Sequence, residues 1–170
     1  MKDDRQFRVG DKIVDFGQVC RISKIKKSSK GKKEKTIFFR PFFRTKLNKT
    51  LIYSVPLDNI NKTKIRKPVS KKKLRQFLKE LSRKLKIKEP VDVNGAKEAL
   101  NSNDLHKIGA ILKALQLERN DESKKFGKAK KDILDLAMER LIEEIAFVSE
   151  VSLVKSRKKI EAVLRKAMRE

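Results

Sequence analysis

Apolar residues in the first 65 positions come in short alternating or clustered runs, whereas after position 70 they recur every three or four residues. The chain is therefore expected to change once from strands to helices. The strand-like runs are 12–15, 19–25, 36–39 and 50–55, with Gly10, Asp11 and Gly17 in turns. Residues 26–33 and 44–49 are polar and read as two further loop tips. Four or five short strands in about 60 residues predict a small, strongly bent sheet or barrel. Beyond Pro68, Ser70 is a suitable N-cap, and Leu74, Phe77, Leu78, Leu81 and Leu85 make one apolar face. After a break at 89–95, a short helix is expected near 96–100. Asp104 caps the next, striped by Leu105, Ile108, Ile111, Leu112 and Leu115. A long helix over 124–148 and a last one after Ser152 complete the pattern. The expected fold class is α+β in two domains: a bent sheet over 1–67, then an all-helical bundle of about five helices over 68–170.

Charge changes this picture. Residues 1–90 carry 29 Lys/Arg against 8 Asp/Glu, and residues 91–170 carry 17 against 14. A positive excess of that size repels itself in a compact state and suits a polyanionic partner. Lysine runs such as Lys71, Lys72 and Lys73 favour contact with a phosphate backbone over base reading, which prefers arginine. Binding of this kind falls by orders of magnitude between about 50 and 200 mM salt.

Candidate chemistry is sparse. Cys20 is the only cysteine and His106 the only histidine, so neither an internal disulfide nor a Cys/His zinc site can be assembled. His106 falls two residues after a probable N-cap and reads as a surface residue. Asp132, Asp135, Glu139, Glu143 and Glu144 share one helix. Lys128 and Lys131 precede the first two by four positions, which predicts a solvated, charge-paired face instead of a metal site. The six glycines form no phosphate-binding loop. Phe38, Phe39, Phe42 and Phe43 flank Arg40 and Pro41, with two or three of them expected in the core and one of the second pair exposed. Pro41 donates no ladder hydrogen bond and belongs at an edge or bulge. No catalytic residue, metal or cofactor is expected. No apolar run is long enough for a bilayer, and the first residues lack a signal-peptide core, so the expected location is the cytoplasm.

The order of several segments resembles the CarD family of bacterial transcription regulators. The residues concerned are Phe7, Arg8, Val9, Gly10, Asp11, Lys12, Ile13 and Val14, then Arg21 and Ile22. Next come Val55, Pro56, Leu57, Asp58 and Asn59, then Ile65, Arg66, Lys67 and Pro68 leading into a helix. The match continues through residues 98–104, Ile111 and Leu112, and Leu141, Ile142, Glu143 and Glu144. The resemblance implies a Tudor-like module that docks on the β lobe of the RNA polymerase β subunit. It also implies a helical domain that contacts upstream promoter DNA and stabilises the open complex.

Carried onto this chain, the resemblance gives a polymerase surface of Leu51, Ile52, Tyr53, Ser54 and Val55 with Lys26, Lys27 and Ser28. Ser54 and Ser28 lack the charge common in relatives, which nearby lysines would supply. The helical domain's expected backbone contacts are Lys84, Lys86, Lys88, Lys97, Lys124, Lys125 and Lys128. Relatives wedge a tryptophan into the minor groove, and this chain has no tryptophan. Either Pro90 or Val91 takes that place, or affinity comes from charge alone. The family's longer first turn is reduced here to Asp15, Phe16, Gly17 and Gln18. A nucleoid-associated monomer is expected. The alternative reading is a free-standing basic nucleic-acid-binding protein of nucleoid or ribosome-associated type.

Overall fold

The computed structural model describes residues 7–27, 35–60, 62–84, 89–123 and 125–168. The chain forms two compact units, Met1–Pro68 and Val69–Glu170. Its class is α+β: among the described residues four strands come first, then five α-helices.

In the first unit, β1 (Lys12–Asp15), β2 (Gln18–Lys27), β3 (Lys35–Pro41) and β4 (Tyr53–Pro56) form one antiparallel sheet in sequential order. Phe16 (φ 46°) and Gly17 (φ 82°) make the two-residue turn between β1 and β2, closed by the Asp15–Gln18 pair. Two positive φ values define a type I′ turn, whose twist matches that of the strands it joins. Ile22 pairs with Phe39 and Lys24 with Phe38, leaving Ser23 as an extra residue. This bulge reverses the alternation, so Ile22 and Ile25, three positions apart, both pack on the core, and it adds bend to β2. After a 3-10 turn at Leu57–Asn59, the chain returns to the free edge of β1, where Val14 and Arg66 exchange backbone hydrogen bonds of 2.7 and 3.2 Å. The enclosed core contains Phe7, Ile13, Cys20, Ile22, Ile37, Phe39, Ile60 and Ile65.

The second unit holds α1 (Lys71–Leu81), α2 (Val93–Asn101), α3 (Leu105–Arg119), α4 (Lys128–Ser149) and α5 (Leu153–Met168). Ser70, Asp92 and Asp104 cap the first three through bonds from Lys73, Gly95 and Lys107 N–H groups at 3.3, 2.7 and 2.9 Å. The long helix begins at Lys128, later than the apolar spacing predicts, because Gly127 stands at its N-cap. It ends at Glu150, which takes a left-handed φ of 57°. α1 stops at Leu81, and Leu85 lies outside the described residues. The core runs from Leu74 and Phe77 through Leu112, Leu115, Leu141 and Ile145 to Ile160 and Leu164. Each such side chain contributes about 1.5–3 kcal/mol on burial.

Candidate functional site

The register of the sheet places a basic face on the first unit. Lys12, Arg21 and Arg40 lie in one row, Lys24, Phe38 and Ser54 in the next, and Lys26, Thr36 and Pro56 in a third. Alternation sends Ile22, Ile37 and Phe39 into the core and leaves Arg21, Lys24, Lys26, Arg40 and Ser54 exposed. The Lys26 ammonium lies 5.7 Å from the centroid of the half-buried Phe38 ring, a cation–π contact that holds one of these charges over an aromatic surface. Two of the expected polymerase-facing positions, Lys26 and Ser54, therefore flank Phe38 on a single face.

Of the other expected docking positions, Lys27 is exposed at the end of β2. Leu51 and Ile52 are exposed at 42% and 53% just before the edge strand β4. Tyr53 and Val55 are half-buried, and the Tyr53 ring packs 5.5 Å from Phe39. These two support the core and offer little free surface. Ser28 and residues 28–33 of the first expected tip lie outside the described residues. In the second tip, Asn48 accepts a bond from the Thr45 N–H at 2.7 Å and donates to the Phe43 carbonyl at 3.0 Å. Of the four clustered phenylalanines, only Phe39 is fully buried. Phe38 and Phe43 are half-buried, while Phe42 is exposed with the Lys12 ammonium 5.7 Å above it. Pro41 ends β3 beyond the stretch paired with β4, where no donor is required on that side.

In the helical unit, Glu118 organises the expected DNA-contacting end. Its carboxylate is buried, accepts the Val91 N–H at 2.9 Å and forms an ion pair with Lys130. The segment carrying Pro90 and Val91 is thereby tied to the start of α4, where Lys125 and Lys128 are exposed. Lys97 is exposed one turn into α2. Val91 is half-buried against the helical core, so it is a fastened residue and not a free wedge; Pro90 is exposed beside it. Lys84 is exposed after α1. Lys86, Lys88 and Lys124 lie outside the described residues.

The structure corrects one expectation about the acids of α4 and leaves His106 at the surface, as expected. Glu144 does not share the solvated face of Asp132, Asp135 and Glu139: it is fully buried, with its carboxylate on the Val69 N–H at 2.9 Å. His106 is exposed yet engaged. Its Nδ1 lies 2.9 Å from Glu80 Oε2, and its ring meets Phe77 edge-on at 5.6 Å. The Glu80 carboxyl is held below the usual carboxylate range, first by a hydrogen bond from Gln76 and then by His106 and Arg83, which together outweigh its burial. The cleft beside this pair is lined by Phe77, Leu81, Gly109, Ala110 and Lys113 and presents no hydroxyl or thiol, so no Ser- or Cys-based relay can form there. Lys113 is buried, and its ammonium donates to the Glu80 and Arg83 carbonyls at the end of α1. Burial, reinforced by Arg83, lowers its pKa. Among the described residues, no group of three or more His, Cys, Asp and Glu side chains is placed to hold a metal ion, and no helix is long and apolar enough to cross a membrane.

Sequence reasoning placed a last helix after Ser152 but overlooked the cations that α5 carries. Lys155, Arg157, Lys158, Lys159, Arg165 and Lys166 are all exposed there, against Glu161 as its one acid. The near-neutral total for residues 91–170 hides this run, because the acids of α4 cancel it on paper while occupying a different helix. The run of cations at 155–159 was the available signal. The chain matches no protein-family model and no curated protein.

Proposed function

We propose that the protein is a non-enzymatic transcription regulator. Its first unit, read as Tudor-like, docks on the β lobe of the RNA polymerase β subunit, and its helical unit contacts the backbone of upstream promoter DNA. The observation that carries this reading is the sheet face in which Lys24, Lys26, Arg21 and Arg40 surround Phe38 and Ser54 beside the edge strand β4. A compact charged face around an aromatic suits an acidic protein surface, and charge complementarity sets orientation and encounter rate. The lysines missing at Ser54 and Ser28 are replaced, in this reading, by Lys24 and Lys26. The helical unit adds exposed cations at Lys84, Lys97, Lys125 and Lys128. Once the first unit is docked, tethering raises their local concentration, so weak individual contacts suffice. The corresponding location is the cytoplasm, on the nucleoid.

The test is a pulldown of the full chain on the isolated β lobe, paired with open-complex lifetimes on a promoter transcribed by the cognate polymerase. Binding together with a changed lifetime supports the proposal. Absence of both sinks it. A second reading, free-standing nucleic-acid binding, is favoured by the scarcely opposed cations of α5. It predicts sub-micromolar, steeply salt-dependent binding of the full chain to a random duplex without polymerase.

A further inference from the structure

A cleft of about 300 Å³ opens between α3, α4 and α5, and its cations are Arg119, Arg157 and Arg165 with no lysine among the lining residues. Lysine outnumbers arginine in this chain by 33 to 13, so three arginines and no lysine at one cleft depart from the composition everywhere else. The distinction has a chemical meaning: a guanidinium presents a planar fork of donors that grips phosphate or carboxylate in two places, whereas an ammonium acts as a point charge. None of the three forms an ion pair with another described residue, although Asp135 and Glu161 line the same cleft. The donors therefore remain available.

Beside Gln116 and the two acids, the remaining wall is apolar and adaptable. Met138 and Met168 line it with Leu134 and Leu164, and thioethers pack favourably against flat rings. Asp135 and Glu161 can only accept hydrogen bonds, so they suit an occupant that carries hydroxyl or amino donors as well as its anion. The volume lies at the lower end of the range for small-ligand sites. We propose that this cleft binds a small organic phosphate with a flat, donor-bearing body, the chemistry of a nucleoside monophosphate. The arginines hold the phosphate, the methionines face the ring, and the two carboxylates take the sugar or amino donors. Such a site would give the helical unit a small-molecule input separate from the exposed lysines assigned to DNA.

The chain contains three methionines, Met1, Met138 and Met168. Methyl-¹³C-methionine labelling of the full chain therefore reports on the cleft through two signals, with Met1 as an internal reference. Titration with AMP should shift the Met138 and Met168 methyls saturably at or below about 1 mM and leave Met1 unmoved. Adenosine and inorganic phosphate should each bind at least about tenfold more weakly, and so should AMP to the Arg157→Ala/Arg165→Ala variant, a difference of about 1.4 kcal/mol. Both arginines are exposed, so an unchanged thermal melt separates loss of the site from loss of the fold. The proposal is overturned if AMP, GMP, CMP and UMP all fail to saturate, or if the double variant binds as well as the parent. It is equally overturned if a short DNA duplex produces the same shifts at lower concentration, which would make the cleft part of a nucleic-acid surface.

Discussion

Glu144 in α4 is fully buried, and its carboxylate accepts a 2.9 Å hydrogen bond from the backbone N–H of Val69, which leads into α1. A buried carboxylate is costly unless hydrogen-bonded, and a buried N–H left without an acceptor is costly too, so each group makes the other tolerable. Glu144→Ala should therefore destabilise the helical unit by about 2–4 kcal/mol in urea unfolding, combining the orphaned N–H with a cavity. Glu144→Gln keeps an acceptor and should cost less than half as much. An alanine variant within about 0.5 kcal/mol of the parent, the range of ordinary surface substitutions, would contradict this account.

Gly109 sets the approach of α3 to α1. A Cβ built there would lie 2.5 Å from Phe77 Cε2 and 2.8 Å from Cζ. An exposed helical Gly→Ala change normally stabilises by about 0.5–1 kcal/mol. Here the sign should reverse, with Gly109→Ala costing about 1–3 kcal/mol through overpacking. Phe77→Leu, itself unfavourable in the parent, should recover part of that loss in the double variant, because it removes the ring atoms in conflict. A purely additive double-mutant cycle would show that the contact does not set the helix spacing.

Much of the architecture was legible because simple periodicities govern it. Short alternating or clustered apolar runs marked β1 to β4, and Ser70 and Asp104 preceded their helices as the capping chemistry requires, whereas Asp92, inside the expected break, caps a helix that starts three residues earlier than the apolar spacing predicts. The buried acids were not legible, since carboxylates on a charged helix ordinarily face water. Their positions nevertheless carried a trace. Glu144 follows Leu141 by three residues and Glu118 follows Leu115 by three, so each extends an apolar stripe at a place where a hydrophobic residue would fit. The basic sheet face was illegible for another reason. The bulge at Ser23 shifts the alternation, and only the register brings Lys24, Phe38 and Ser54 into one row.

Acid should weaken the α1–α3 contact through Glu80. Its folded carboxyl titrates below the ordinary value of 4.5, because Gln76 and then His106 and Arg83 favour the ionised form. A depressed carboxylate contributes stability that is present above the ordinary value and is lost as pH falls through that value and then the folded one. Thermal melts between about pH 3 and 7 should therefore show a descending acid limb that flattens in Glu80→Gln. The variant and the parent should converge at the lowest pH. Parallel curves across the whole range would rule out this role for Glu80.

Phe16 occupies a left-handed conformation at φ 46° on the β1–β2 turn, a region that bulky side chains rarely adopt. Asparagine tolerates that conformation and is favoured in type I′ turns. Phe16→Asn should raise the stability of the first unit by about 0.5–1 kcal/mol, measured as a higher denaturant midpoint. No gain, or a loss, would mean that the contacts of the half-exposed ring outweigh its backbone strain.

The helical unit's cations differ in how fully their neighbours oppose them. Lys128 has Asp132 four residues on, and the first turns of α4 also carry Asp135, so the local field there is diluted. On α5, Lys155, Lys158 and Lys159 are exposed with Glu161 as the helix's one acid. In the second reading, where a duplex is bound without polymerase, the slope of log K against log salt counts phosphate contacts at about 0.9 each. Replacing Lys155, Lys158 and Lys159 by alanine should reduce the slope on a random duplex by about 2–3, while Lys128→Ala should change it by less than about 1. All four side chains are exposed, so these variants should melt with the parent, and the slopes then report the contact and not the fold. Equal slopes for the triple variant and the parent would remove α5 from the interface and return the contact to the lysines around Pro90.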